Sequence, residues 1–104
     1  MSKQNQRKMI IQNRRYQKDP NIVSRRIANE FILVPIRHKV GDLESIYTLN
    51  EVAARIWELI DGKRNTEQIR NIIIDEFQVS PEEAEQDLSE FIHKLEQIEG
   101  IRPT

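Results

Sequence analysis

The stretch SIYTLNEVAARIWELIDG, residues 45–62, joins a short extended run directly to a helix. Ser45–Leu49 contains the β-branched and aromatic residues that favour a strand. Asn50 is a preferred helix N-cap, and Gly62 stands where a helix ends. Between them apolar residues recur at helical spacing, at Val52, Ala53, Ile56, Leu59 and Ile60. The stretch therefore predicts a strand that enters a helix through its cap, with Trp57 in the core.

Two further helices are predicted after this stretch. Asn65 or Thr66 is the cap of the second, and its apolar side is formed by Ile69, Ile72, Ile73 and Phe77. Ser80 followed by Pro81 and two glutamates is a strong start signal for the third. That helix is expected to end at Gly100.

The residues before the opening stretch predict a β-hairpin. Ile22–Ile27 and Glu30–Ile36 are β-favouring runs separated by Ala28–Asn29, which is a turn of hairpin length. Together with Ser45–Leu49 they give three strands followed by three helices. The predicted fold is thus α+β and winged helix-turn-helix-like, with a three-stranded antiparallel sheet, over residues 21–102.

Composition limits what the chain does. With 104 residues, 38% of them hydrophobic and none cysteine, it is expected to form one small domain without disulfides or thiolate sites. Its apolar runs are too short for a membrane span or a secretory signal, so a cytoplasmic location is predicted.

The charge is distributed unevenly along the chain. Residues 1–20 hold six basic side chains and one acidic side chain, whereas the remainder is acidic overall. We interpret residues 1–20 as a basic, disordered tail. The alternative is an arm that contacts an acidic partner or nucleic acid.

Catalytic chemistry has no support in the sequence. His38 and His93 lie in no catalytic motif, and the three glycines are placed at turns and helix ends rather than in a phosphate-binding loop. No ligand spacing predicts a metal site. The chain is therefore expected to be no enzyme and to use no cofactor.

The second and third helices have the order of a helix-turn-helix, which makes DNA binding one hypothesis. In such modules the start of the recognition helix meets bases and phosphates. Here that start is SPEEAEQD, residues 80–87, with four carboxylates and no basic residue. Nucleic acid is therefore an unlikely partner, and winged-helix DNA binding through the basic N-terminal arm is the second candidate function.

The residues of IYTLNEVAARIWELIDGKRNTEQI, 46–69, carry a family resemblance. They resemble the PqqD family, small proteins of pyrroloquinoline quinone biosynthesis, and the related RiPP recognition elements. The shared pattern is Y-x-L-N, A-x-x-I-W and D-G, and the matching residues here are Tyr47, Leu49, Asn50, Ala53, Ile56, Trp57, Leu59, Asp61 and Gly62. The similarity extends over residues 22–102.

The resemblance implies a peptide-binding domain without catalytic activity. In such proteins the leader of a ribosomally made precursor peptide adds as a strand beside the third strand, against the third helix, and is presented to a modifying enzyme that is often a radical SAM protein. The implied strand partners are Ser45, Ile46, Tyr47, Thr48 and Leu49. The implied helix residues are Asp87, Phe91, Lys94, Leu95 and Ile98. The sequence leaves open whether Phe91 and Leu95 line the groove or the core.

Three further points follow from this hypothesis. A Tyr47→Pro substitution is expected to remove a strand donor and to weaken peptide binding more than Glu83→Ala does. A subunit that only stabilises its partner enzyme is an alternative that the sequence does not separate from peptide presentation. Monomer and homodimer both remain open, because a free strand edge can also pair with a second copy.

Overall fold

The computed structural model describes residues 13–36 and 46–104. The predictions for residues 1–12, His38 and Ser45 lie outside this range. The strands are β1 Tyr16–Lys18, β2 Ile22–Ile27, β3 Glu30–Pro35, β4 Tyr47–Leu49 and β5 Ile101–Pro103. The helices are α1 Glu51–Leu59, α2 Thr66–Phe77 and α3 Pro81–Gln97.

The predicted three-stranded antiparallel sheet and three helices are confirmed. The sheet has the order β2-β3-β4, so β4 lies at one edge. β2 and β3 form a hairpin around Ala28–Asn29, with Ala28 at φ +57°. A positive φ is the backbone conformation that two-residue hairpin turns require.

Side-chain caps fix where the helices begin. Asn50 Oδ1 accepts a hydrogen bond from the Ala53 N–H at 2.8 Å, which joins β4 to α1 as predicted. Asn65, rather than Thr66, caps α2, and it exchanges hydrogen bonds with Gln68 in a capping box. Because these caps satisfy N–H groups that no helical carbonyl reaches, each helix starts at a defined residue.

The N-terminal segment differs from the predicted tail in its described part. β1 pairs with β5 in a second, two-stranded sheet, and Tyr16 is only 5% exposed. On its other side the Tyr16 carbonyl accepts from the Gly62 N–H at 2.8 Å. Within residues 13–20 the chain is thus part of the fold, because one buried aromatic ring and a sheet partner outweigh the basic composition that predicted disorder. The boundary predicted at residue 20 therefore lies inside an ordered segment.

The core lies between the sheet and the three helices. Its largest fully buried side chains are Leu33, Ile56, Ile60, Ile69, Ile73, Leu88, Ile92 and Leu95. Trp57 is 3% exposed, so its predicted place in the core is confirmed. The Lys18 ammonium lies 5.2 Å from the centre of the Trp57 ring, and burial lowers the pKa of Lys18 below its ordinary value. In the described residues no helix is both long and apolar enough to cross a membrane.

Candidate functional site

An open groove of about 410 Å³ lies between β4, the start of α1 and the middle of α3. Its volume falls within the range of ordinary ligand pockets. Its walls are formed by Ile46, Tyr47, Thr48, Leu49, Asn50, Val52, Ala53, Ile56, Asp87, Glu90, Phe91 and Lys94. The groove therefore combines a strand edge with an apolar floor and a charged helix wall.

Most of the residues implied by the family resemblance line this groove: Ile46, Tyr47, Thr48, Leu49, Asp87, Phe91 and Lys94. Leu95 is 1% exposed and belongs to the core instead. Ile98 caps the end of α3 and packs against the core, outside the groove lining. Phe91 belongs both to the core and to the groove wall, because it is only 8% exposed and still lines the groove. The structure thus brings together a group of β4 residues and a group of α3 residues that are about 40 residues apart in the sequence.

Five of the described lining residues were not predicted from the sequence: Asn50, Val52, Ala53, Ile56 and Glu90. Glu90 could have been found, because it lies three residues after Asp87 and four before Lys94, on the same helix face. The α1 residues gave no such signal. Their helical spacing indicates burial, and only the packing of α1 beside β4 opens part of that face to the groove.

The hydrogen bonding of β3 determines which backbone N–H and C=O groups of β4 point away from the sheet. The Ile36 N–H donates to the Asn21 carbonyl at 2.8 Å, in register with the β2–β3 ladder. In an antiparallel pair, bonded and non-bonded residue pairs alternate. Counting back along β3 in steps of two, the residues bonded to β2 include Ile32. Phe31 and Leu33 therefore direct their N–H and C=O groups toward β4.

The same alternation places the open edge of β4. Leu49 lies opposite Phe31 and Tyr47 opposite Leu33, so both β4 residues use their backbone groups to bond β3. Thr48 lies opposite Ile32 in a non-bonded pair, so its N–H and C=O point away from the sheet. The free donor predicted at Tyr47 is therefore placed one residue too early. A proline at Tyr47 would break the β3–β4 ladder rather than remove a free donor.

The side chains of β4 alternate between the two faces of the sheet. Tyr47 and Leu49 are half-buried and pack against the core, whereas Thr48 is exposed. β4 thus presents apolar side chains on the helix side and, along its edge, backbone groups of Thr48 that pair with none of the described residues.

The other sheet edges carry features that oppose strand addition. β2 has Arg25 and Arg26, both exposed, and β5 has Arg102 and Pro103. Charged residues and proline are the usual means by which proteins protect a free edge. β4 has neither in its three residues. Among the strands that the structure describes, β4 is therefore the edge best suited to accept another strand.

The helix wall is predominantly acidic. Asp87 and Glu90 face the groove with Lys94, and Gln86 Nε2 donates to Glu90 Oε2 at 3.1 Å. Glu82 and Glu83 are exposed in the first turn of α3, where a DNA reader would need basic residues. The described residues contain no group of side chains that could hold a metal ion. The arrangement can bind and orient a ligand.

The chain matches the model of a known protein family. The family model described as coenzyme PQQ synthesis protein D (PqqD) matches residues 30–99, more than half of the chain. No curated protein matches the chain at a significant level.

Two solved structures are similar over most of their length. "TbiB1 in Complex with the TbiA(beta) Leader Peptide" is 27% identical, with a TM-score of 0.67 and coverage of 83% of this chain and 94% of that one. "Lasso peptide synthetase B1 complexed with the leader peptide" is 19% identical, with a TM-score of 0.68 and coverage of 85% and 98%. At that lower identity the second structure shows a shared fold.

Proposed function

The chain belongs to the PqqD family, and from this premise we propose that it is a non-catalytic peptide chaperone. It binds the leader of a ribosomally synthesised precursor peptide by strand addition at β4 and presents that peptide to a modifying enzyme. The observation that carries the proposal is the outward-facing backbone of Thr48 at the mouth of an apolar groove. The leader peptide in the TbiB1 complex supports the same assignment.

Strand addition divides the recognition between backbone and side chains. Main-chain hydrogen bonds to Thr48 set the register of the peptide, and pockets for alternate side chains provide specificity. The groove floor of Val52, Ile56 and Phe91 provides those pockets. The peptide gains affinity from burying apolar side chains there, at about 25 cal/mol for each Å² removed from water.

The chain contributes to peptide modification by concentrating and positioning the core peptide at the modifying enzyme. A leader bound to this domain holds its core peptide close to an enzyme that binds the same domain, which raises the effective concentration of substrate. The chain itself then makes and breaks no covalent bond. We place this activity in the cytoplasm, where ribosomally made precursors are available, and we expect a peptide-modifying enzyme, such as a radical SAM protein, as the second partner.

An NMR titration of the full-length ¹⁵N-labelled chain tests the proposal. One sample receives a candidate leader peptide, and another receives a DNA duplex. We expect the peptide to shift the amide signals of residues 46–49 and of the groove face of α3, and the duplex to leave them unchanged. Shifts caused only by the duplex, or a peptide that leaves β4 unaffected, would refute strand addition. A subunit that only stabilises its partner enzyme would respond to neither.

A further inference from the structure

We propose that the groove selects a peptide strand of the pattern apolar–x–apolar, in which residue x pairs with Thr48, and that it favours a basic residue next to this pattern. This inference rests on the proposed function and specifies the class of peptide that the site accepts. It is carried by the register of β4, by the chemistry of the groove floor and by the charges on α3.

The register determines the bonded position. Thr48 is the residue of β4 whose N–H and C=O both point away from β3. A peptide strand that pairs with β4 therefore has one residue, x, that exchanges bonds with Thr48. One residue of shift along the peptide would turn every side chain to the opposite face.

The same register determines which peptide side chains enter the groove. Residues directly opposite each other in a sheet place their side chains on the same face. The two neighbours of x lie opposite Tyr47 and Leu49, whose side chains face the helices. Those neighbours therefore project over the floor formed by Val52, Ile56 and Phe91 and must be apolar to gain from burial. Residue x projects beside Thr48, which is exposed, so a polar residue is accepted there.

The helix wall adds a preference for charge. Asp87 and Glu90 lie three residues apart on one face of α3, and Lys94 is the single basic residue among the described residues of the groove lining. Within the described residues neither carboxylate has an ion-pair partner, whereas Glu85 and Glu76 are bonded to arginines at 2.8 Å. The two groove carboxylates therefore attract a lysine or arginine of the peptide and repel an acidic residue.

Selection from a random displayed peptide library tests this inference directly. The full-length chain and its Thr48→Pro variant are immobilised side by side, and the peptides that only the native chain retains are sequenced. We expect two apolar residues separated by one variable residue, with lysine or arginine nearby. Thr48-dependent peptides that lack the alternating apolar pair, or that are enriched in acidic residues, would overturn the inference and leave strand addition standing. No Thr48-dependent peptide at all would instead contradict the proposed function.

Charge reversal separates the helix wall from general electrostatic attraction. A selected basic peptide is titrated by fluorescence anisotropy against Asp87→Lys and against Asp75→Lys, which changes the charge equally on exposed α2 surface. We expect roughly a five-fold loss of affinity for Asp87→Lys and little change for Asp75→Lys, since an exposed pair contributes a modest energy. An equal loss in both variants would refute a charge preference located in the groove. Circular dichroism of both variants checks that the fold is retained.

Discussion

Thr48→Pro is expected to weaken peptide binding strongly while leaving the sheet intact. Proline has no N–H, and the N–H of Thr48 points toward the open edge of β4 rather than toward β3. Proline is tolerated on edge strands where the lost N–H faces solvent. The variant therefore deletes one donor to the peptide without deleting a bond of the β3–β4 ladder.

The size of the effect follows from the loss of one hydrogen bond and from the peptide carbonyl that is left without a donor. A typical hydrogen bond contributes about 0.5–1.5 kcal/mol net, and a buried group left without its partner costs about 1–3 kcal/mol. A peptide carbonyl held between β4 and α3 is partly removed from water, so we expect a total loss of about 1.5–3 kcal/mol. At about 1.4 kcal/mol for each factor of ten, this corresponds to a roughly 10- to 150-fold larger dissociation constant.

Two variants of the chain serve as matched controls. Thr48→Ala keeps the backbone donor and removes only an exposed side chain, so binding should change by less than about three-fold. Ser24→Pro makes the same backbone change on the opposite edge, because Ser24 also lies in a non-bonded pair with β3 and is exposed. Its peptide affinity should equal that of the native chain.

Isothermal titration calorimetry against one leader peptide provides the affinities, and urea denaturation provides the stabilities. The reasoning fails if Thr48→Pro binds as tightly as Thr48→Ala while both remain folded. It also fails if Ser24→Pro weakens binding as much as Thr48→Pro, because the peptide would then not distinguish the two edges.

Three predictions concern the stability of the fold. Tyr16→Ala should reduce the free energy of unfolding by about 3 kcal/mol in urea denaturation, because it empties a 5%-exposed site that joins β1 to the core; an unchanged stability would mean that β1 is dispensable. Gly62→Ala should cost about 1 kcal/mol in the same assay, since Gly62 has φ +82° and the added Cβ meets nothing closer than 3.8 Å, so the cost is backbone strain alone. The backbone N–H groups of Arg64 and Lys63 hold the pKa of Asp61 below its ordinary value. A carboxylate whose folded-state pKa is lowered stabilises the fold above its ordinary pKa, and this stabilisation is lost as the pH falls through the folded-state pKa. Asp61→Ala should therefore destabilise the fold at neutral pH and much less at an acidic pH below that folded-state pKa. Equal destabilisation of Asp61→Ala at both pH values would contradict that linkage.

Local signals in the sequence predicted the elements that depend on neighbouring residues. Asn50, Asn65 and Ser80 begin the three helices because a side-chain oxygen that can reach the next turn is a property of a few adjacent residues. Ala28–Asn29 forms the hairpin turn for the same reason. The order of β2, β3, β4 and the three helices, the fold class and the family resemblance all follow from such short-range patterns.

Composition was a poorer guide where one long-range contact decided the outcome. Basic residues predicted a disordered tail up to residue 20, yet Tyr16 is buried and β1 is paired with β5 from the other end of the chain. Nothing in the local sequence of residues 13–20 reveals that partner, because it lies more than 80 residues away.

The sequence by itself predicted, through a family resemblance that rests mainly on residues 46–62, that Ser45–Leu49 and the third helix form the candidate site. Only the tertiary structure decided which atoms are available there. The alternation of hydrogen bonds across β2, β3 and β4 directs the backbone N–H and C=O of Thr48 away from β3 and those of Tyr47 toward β3. The packing of α3 places Leu95 in the core and leaves Phe91 at the groove wall. Both outcomes depend on the register and angle at which separate elements meet, and these are set by contacts between residues far apart in the chain.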